Sequence, residues 1–454
     1  MLPIRALALA SIVLGCTLAT HSPSSPSSAA PSAAPPPASI PTPSATGPAP
    51  SPLPTATTPP DVVLVVLDDM SWEDLFHVAT PNMIGLALQG QVCTSFYTHP
   101  VCSPTRIGLN FGIYSVREGV VGALSHHDDE PAMPAERLAL AQVLHAEGYA
   151  TALFGKWHAS TAGDGVTDEN ARRFGFEHWY AGVAGNIGKE GVASQINWHP
   201  IEDGYNAPVT HYSGDLITQE FETWWSQPST RPRFASINYT TPHEPWTAPP
   251  PAFLPPGYTV GPNKRARFEA SIAALDGFLG RVCAAIDLST TYLLVLPDNG
   301  TPHNVVPPGS WYNGYKLTPW QGGVHVPLLV AGPGVAPGFN PHLMHAIDVP
   351  ETILELCGLT APFGFEDGES FAPSLFGAMP QRSPVVMQYK RFDPVTATLL
   401  VDDWAVVNAN GMKLVSDAGV ERMYRLSSDP FETTPLWMPQ LHQSLKAVKQ
   451  AIDP

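Results

Sequence analysis

The hydrophobic positions fall into short runs that stop abruptly at polar residues. Asp61-Val62-Val63-Leu64-Val65-Val66-Leu67 is apolar on both faces and ends in Asp68-Asp69. Such a run predicts a central strand of a parallel sheet. Tyr149 to Phe154 predicts a second strand, ending at Gly155-Lys156-Trp157-His158. Phe234 to Tyr239 predicts a third, ending near Thr240-Thr241-Pro242-His243. Thr291 to Leu296 predicts another, ending at Pro297-Asp298-Asn299-Gly300, and Val324 to Val330 a further one. Between them lie helical periodicities: one after Pro134, with Leu138, Leu140, Val143 and Leu144 on its apolar face, and a long one over 263–286. Alternating strands and helices predict an α/β fold, a large mostly parallel sheet with helices on both faces. From about residue 376 the pattern changes to short pieces: Val385 to Tyr389, Thr398 to Val401, Trp404 to Val407 and Met412 to Val415. With a final helix over 438–451 they predict a small C-terminal antiparallel sheet with a helix. The main domain is therefore assigned to 61–375 and the C-terminal subdomain to 376–454.

The chain ahead of residue 61 has a different character. Arg5 precedes an apolar run, Ala6 to Gly15, too short to span a bilayer as a permanent helix. The run ends Val13-Leu14-Gly15-Cys16, which resembles a bacterial lipobox. This implies that 1–16 is a lipoprotein signal peptide and that Cys16 is lipidated, anchoring an exported protein to a membrane. Thr17 rather than Asp favours the outer membrane, with the domain in the periplasm or at the cell surface. Residues 17–60 are Ala, Ser, Thr and Pro for the most part, with 14 prolines. They have little to bury and are read as a disordered linker. At roughly 3 Å per residue, it reaches about 130 Å from the anchor.

Composition narrows the function. Net charge is −17, which excludes a broad nucleic-acid surface because phosphate binding needs clustered Lys and Arg. A local pocket of cations can still hold an anionic substrate against that field.

Four strand ends carry metal-capable or acid–base residues. The carboxyl edge of an open α/β sheet is where ligands bind, so these ends point to one site. Asp68, Asp69, Asp298 and Asn299 offer only hard oxygen donors, suited to Ca²⁺, Mg²⁺ or Mn²⁺ rather than zinc. Arg106, Lys156, His158, His243 and Lys316 would hold a dianionic tetrahedral group and stabilise shifting charge. Each residue alone has a bland alternative, as a strand cap, a turn, a core histidine or a surface charge.

Cys102-Ser103-Pro104-Thr105-Arg106 resembles the Cys-x-Pro-x-Arg signature of the sulfatases, formylglycine-dependent members of the alkaline phosphatase superfamily. Leu67-Asp68-Asp69, Gly155-Lys156-Trp157-His158, Pro242-His243-Glu244-Pro245, Asp298-Asn299-Gly300 and Lys316 before Gln321-Gly322-Gly323 follow the family's order. Met423-Tyr424-Arg425-Leu426 to Asp429-Pro430 resembles its closing segment, so the likeness covers about residues 61–435. The resemblance implies that a separate maturase converts Cys102 to formylglycine. It implies Ca²⁺ held by Asp68, Asp69, Asp298 and Asn299 and touched by residue 102. One hydroxyl of the hydrated aldehyde attacks the sulfur of an aryl or carbohydrate sulfate. The other, deprotonated at His158, expels the sulfate. Arg106 and Lys156 hold the modified side chain, while His243 and Lys316 bind the sulfate and assist the leaving group.

Three departures stand out. The stretch that usually reads Leu-Thr-Gly-Arg is Asn110-Phe111-Gly112-Ile113, the Glu before Gly-Gly is Gln321, and the Arg after it is His325. The alternatives are a phosphodiesterase or phosphonate monoester hydrolase of the same superfamily, and a non-catalytic binder of sulfated glycans. Cys93, Cys283 and Cys357 allow at most one disulfide, of unidentified pairing, with free buried thiols the equal alternative. Trp198, Trp224, Trp225, Trp246, Trp311 and Trp320 are candidates for a sugar or aryl pocket. Trp246 and Trp320 are favoured because they lie close to site residues in sequence.

Overall fold

The computed structural model describes residues 58–124, 133, 137–160, 170–187, 194–360, 365–393 and 395–453. The leader and residues 17–57 of the linker lie outside them. The strands, in chain order, are β1 Asp61–Leu67, β2 Gln91–Cys93, β3 Phe96–Tyr97, β4 Ala150–Lys156, β5 His178–Val183, β6 Asn197–Trp198, β7 Ile201–Glu202, β8 Tyr205–Asn206 and β9 Val209–Thr210. There follow β10 Arg233–Asn238, β11 Thr291–Pro297, β12 Leu328–Ala331, β13 Gly338–Asn340, β14 Met344–His345, β15 Val385–Phe392, β16 Leu399–Val407, β17 Met412–Asp417 and β18 Val420–Arg425.

Ten of these form one sheet in the order β13-β2-β12-β11-β1-β10-β4-β5-β7-β8. Its middle, β11-β1-β10-β4-β5, is parallel. Antiparallel pairings enter only toward the two edges, at β12 and at β7 and β8. The expected mostly parallel sheet is therefore present. Its faces follow from the period of two along a strand. Val62, Leu64 and Val66 of β1 pack in one core with Ile107, Leu140, Leu144 and Ile353. Val63, Val65 and Leu67 pack in another with Ile217, Phe221, Phe268 and Leu275. Those partners sit on helices Cys102–Phe111, Leu140–Ala146 and Val349–Leu356 on one face, and Ser213–Trp225 and Lys264–Ala285 on the other. The long helix starts where Asn263 caps it, accepting from Ala266 N–H at 2.8 Å.

Some expected elements differ. Val324 to Val330 is not one strand: Gln321–Val324 makes a helical turn, and β12 begins only after Pro327, which lacks an N–H for the ladder. Leu138 precedes its helix and is 38% exposed, so the apolar face begins at Leu140. Residues 134–136 lie outside the described residues. Thr398 to Val401 and Trp404 to Val407 are a single strand, β16. The intervening Asp402 and Asp403 are held within the sheet by Gln388 Nε2 (3.0 Å) and Ala418 N–H (2.8 Å).

β15 to β18 form the second sheet, antiparallel throughout. One face packs on Tyr97, Trp320, Val324 and Leu343 of the large domain. The other covers Trp404, Leu414 and Met423, with Leu445 of the closing helix Pro439–Ile452. Cys93, Cys283 and Cys357 are free thiols, so no disulfide forms among them.

Candidate active site

β1, β4, β10 and β11 deliver their last residues to one edge of the sheet. Asp68 and Asp69 follow β1, Lys156 closes β4, His243 lies beyond β10, and Asp298 and Asn299 follow β11. Asp69 (φ 77°) and His158 (φ 52°) adopt left-handed backbone, which ends each strand sharply. Non-glycine residues occupy that region rarely, and functional sites are where the strain concentrates. Gly155 (φ 89°) has no room for a Cβ, which would meet the Asn238 carbonyl.

Asp68, Asp69, Asp298 and Asn299 are all at most 1% exposed, as are Arg106, Lys156 and His158. Lys156 Nζ donates to Asp68 Oδ2 at 2.6 Å. Arg106 Nε donates to Asp298 Oδ2 at 3.0 Å, and its Nη2 lies 2.8 Å from the same oxygen. Lys316 Nζ reaches Asp69 Oδ1 at 2.5 Å, and His243 Nε2 stands 3.7 Å from Asp69 Oδ2. Asn299 Nδ2 also donates to Asp69 Oδ1 (2.7 Å), while Asp69 N–H donates to Asp298 Oδ1 (3.1 Å). Every sequence-predicted residue is thereby in this network except Cys102 and His158.

Those two adjoin it. Cys102 opens the helix Cys102–Phe111, whose positive N-terminal end favours negative charge on its side chain. Burial raises the thiol's pKa, against the opposing pull of Lys156 and Lys316. His158 Nε2 lies 2.8 Å from the Leu124 carbonyl, which assigns the proton to Nε2. Its buried Nδ1 has no hydrogen-bond partner among the described residues. Burial, then Lys156, hold His158 well below the ordinary histidine range. Burial, then Lys316, lower His243.

The carboxylates divide. Burial alone would lift Asp68, but Lys156, His243 and Arg106 outweigh it and hold the group well below the carboxylate range. Burial and the adjacent Asp68 charge push Asp298 up. Two buried oxygens, Asp68 Oδ1 and Asn299 Oδ1, have no hydrogen-bond partner among the described residues. Buried oxygens left unpaired are costly, and a hard cation satisfies them. Asp68, Asp69 and His243 also offer ligand atoms within 4.8 Å of one another among the described residues. His243 was not an expected ligand.

Sequence reasoning missed Asn186, whose Oδ1 accepts from Lys156 Nζ at 2.6 Å. It follows β5, a strand that was not foreseen. The favoured tryptophans are core residues: Trp246 and Trp320 are 8% and 6% exposed. Their indole N–H groups donate to Pro242 O (3.1 Å) and Asp417 Oδ2 (2.8 Å).

Comparison with known proteins bears on this site. The Sulfatase family model matches residues 60–359. The N-acetylgalactosamine-6-sulfatase of Canis lupus familiaris is 26% identical over 383 residues, covering 76% of this chain and 71% of the relative. The ulvan-active sulfatase of Formosa agariphila is 25% identical over 367 residues, covering 74% and 69%. A solved structure of Ps i-CgsB in complex with k-i-k-neocarrahexaose has a TM-score of 0.75 at 19% identity, covering 87% of this chain and 93% of that one. The phosphonate monoester hydrolase of Agrobacterium radiobacter has a TM-score of 0.65 at 19% identity, over 87% and 95%, a likeness of fold alone. A family match across the whole strand-edge site, with sulfatases among the relatives, places this chain in the sulfatase family, as a sulfuric ester hydrolase.

Proposed function

We propose that the protein removes sulfate from a carbohydrate or aryl ester through a formylglycine made from Cys102 by a maturase, with Ca²⁺ held by Asp68, Asp69, Asp298 and Asn299 and touching residue 102. The observation that carries the metal reading is the pair of buried oxygens left unpartnered among the described residues, Asp68 Oδ1 and Asn299 Oδ1, in an all-oxygen set. When bound, the cation supplies positive charge to sulfate oxygens, and the hydrated aldehyde supplies a nucleophilic hydroxyl with a second hydroxyl for product release.

The chain's own residues do the rest. Lys156 and Arg106, fixed on Asp68 and Asp298, hold the modified side chain. Lys316 and His243 are the least buried members, with side chains 13% and 10% exposed, and therefore meet the incoming sulfate and leaving oxygen. His158 Nδ1, unpaired among the described residues, takes the proton that releases the product. The names of the relatives, an N-acetylgalactosamine-6-sulfatase and an ulvan-active sulfatase, favour a carbohydrate substrate. The lipobox-like Val13-Leu14-Gly15-Cys16 and the proline-rich 17–60 support an exported lipoprotein, outer-membrane anchored through Cys16.

Protein co-produced with a maturase should release sulfate from para-nitrophenyl sulfate. Mass spectrometry of its residue-102 peptide should show the thiol replaced by an aldehyde. Cys102→Ala should lower kcat by at least about a thousandfold, and a chelator should lower Tm. Wild-type protein that carries the aldehyde yet turns over no sulfate ester, or turns over an aryl phosphodiester faster, would refute this reading.

A further inference from the structure

Of the six candidate tryptophans, Trp311 alone is strongly exposed, at 44%. It is nonetheless fixed. Ser310 Oγ and Trp311 N–H both donate to Glu73, at 2.6 and 3.1 Å, and Glu73 is only 4% exposed. Phe76 meets the indole edge-on at 5.0 Å, and Phe431 lies near-parallel to it at 6.1 Å between centroids. The two supporting segments issue directly from the site. Glu73 is four residues beyond Asp69, and Trp311 is five before Lys316, the residue that pairs with Asp69. Five residues span at most about 18 Å, so the indole stands within a short oligosaccharide's reach of Lys316. Closer in, exposed Tyr315 lies against His303, ring centroids 4.4 Å apart. The Lys316 N–H bond to Thr301 O (2.9 Å) holds that pair beside the mouth.

The charge of these segments selects an occupant. Residues 70–80, 301–320 and 427–438 contain one Lys or Arg between them, Lys316, which belongs to the sulfate site itself and pairs with Asp69. They carry Glu73, Asp74, Asp429 and Glu432. Arg265, which bridges the first two segments through Asp74 and the Val305 carbonyl, is likewise paired and only 14% exposed, so a densely sulfated chain would find no unpaired cation among these described residues. A sugar ring with an apolar face stacks on a rigid aromatic at little entropic cost.

We propose that Tyr315 with His303, and beyond them Trp311 backed by Phe76 and Phe431, form a strip that binds the leaving-group sugars of an oligosaccharide whose backbone is uncharged around the scissile sulfate. This rests on the sulfate-ester reading above and names its substrate class. The test uses matured full-length protein and a galactan hexasaccharide bearing one sulfate, its desulfated and persulfated counterparts, and para-nitrophenyl sulfate. Trp311→Ala should lower the ratio of kcat/KM for the monosulfated hexasaccharide over the aryl sulfate by about five- to tenfold, through KM. Trp311→Phe should restore most of it, and Phe339→Ala, at the far β13 edge of the sheet, should leave it as in wild type. Binding of the desulfated hexasaccharide, followed by NMR of the sugar, should weaken in Trp311→Ala. An unchanged ratio and unchanged binding, or a wild-type preference for the persulfated chain, would overturn the strip while leaving the sulfatase reading intact. If wild type releases sulfate from nothing, that reading fails, and the binding arm alone decides the strip.

Discussion

His99 lies three residues ahead of Cys102, and its Nδ1 accepts the Gln388 N–H of β15 at 3.3 Å. Its ring meets His345 edge-on at 5.0 Å. Burial holds its pKa down at about 4, against an ordinary 6.5. The folded chain therefore binds fewer protons at this group than the unfolded chain between those values. The stability it contributes is complete above pH 6.5 and is lost as pH falls toward 4. In urea melts, wild type should lose stability relative to His99→Leu by about 1.4 kcal/mol per pH unit across that window. Parallel pH profiles for the two proteins would contradict it. At this scale the sequence was most legible where chemistry needs one residue type, as at Asp68, Lys156 and Asp298. It was silent on His158's tautomer, which depends on the Leu124 carbonyl from a separate loop, and on Asn186, a lone amide in a small-residue loop.

The helix Cys102–Phe111 shows how an element tolerates an atypical end. Asn110 Nδ2 donates to the Arg106 carbonyl at 2.8 Å, and Phe111 packs edge-on against Phe174 at 5.1 Å. Gly112 then closes the helix at φ 63°, where a Cβ would strike the Phe365 ring. Left-handed backbone and steric overlap act together, so Gly112→Ala should destabilise by about 1–3 kcal/mol. A denaturation midpoint within error of wild type would show that the tail is not a structural cap. Strands apolar on both faces were legible because only burial in a parallel sheet explains them. β5, His178-Trp179-Tyr180-Ala181-Gly182-Val183, was not, because half-buried His178 and Tyr180 and the glycine at 182 break its apolar run. The Val324 to Val330 run misled because apolar content alone does not separate a turn from a strand. Gly322-Gly323 and Pro327 decided the matter.

The C-terminal sheet touches the site's support through charge buried in the domain contact. Lys413 of β17 pairs with Glu432 at 2.7 Å, both side chains fully buried. Glu432 Oε2 accepts the Gln321 N–H (2.8 Å), and Lys413 Nζ lies 3.3 Å from Gln321 Oε1. Gln321, an amide rather than an acid, thus meets an ion pair without adding a second buried carboxylate. Lys413→Met should cost about 3–5 kcal/mol by stranding Glu432, and Lys413→Met with Glu432→Leu should recover much of it. A double variant no better than the single one would mean the pair is not a closed unit. None of this was visible in the sequence, where residues 413 and 432 belong to different short segments, and the strand order was equally hidden. The burial of Cys102 has a consequence in time. At 1% exposure, in the first turn of a helix packed against the ten-stranded sheet, its sulfur is closed to bulk solvent. Under the proposed maturation, the enzyme that rewrites this side chain would meet it on the nascent or still-extended chain, so the rate of folding would set a deadline for activation.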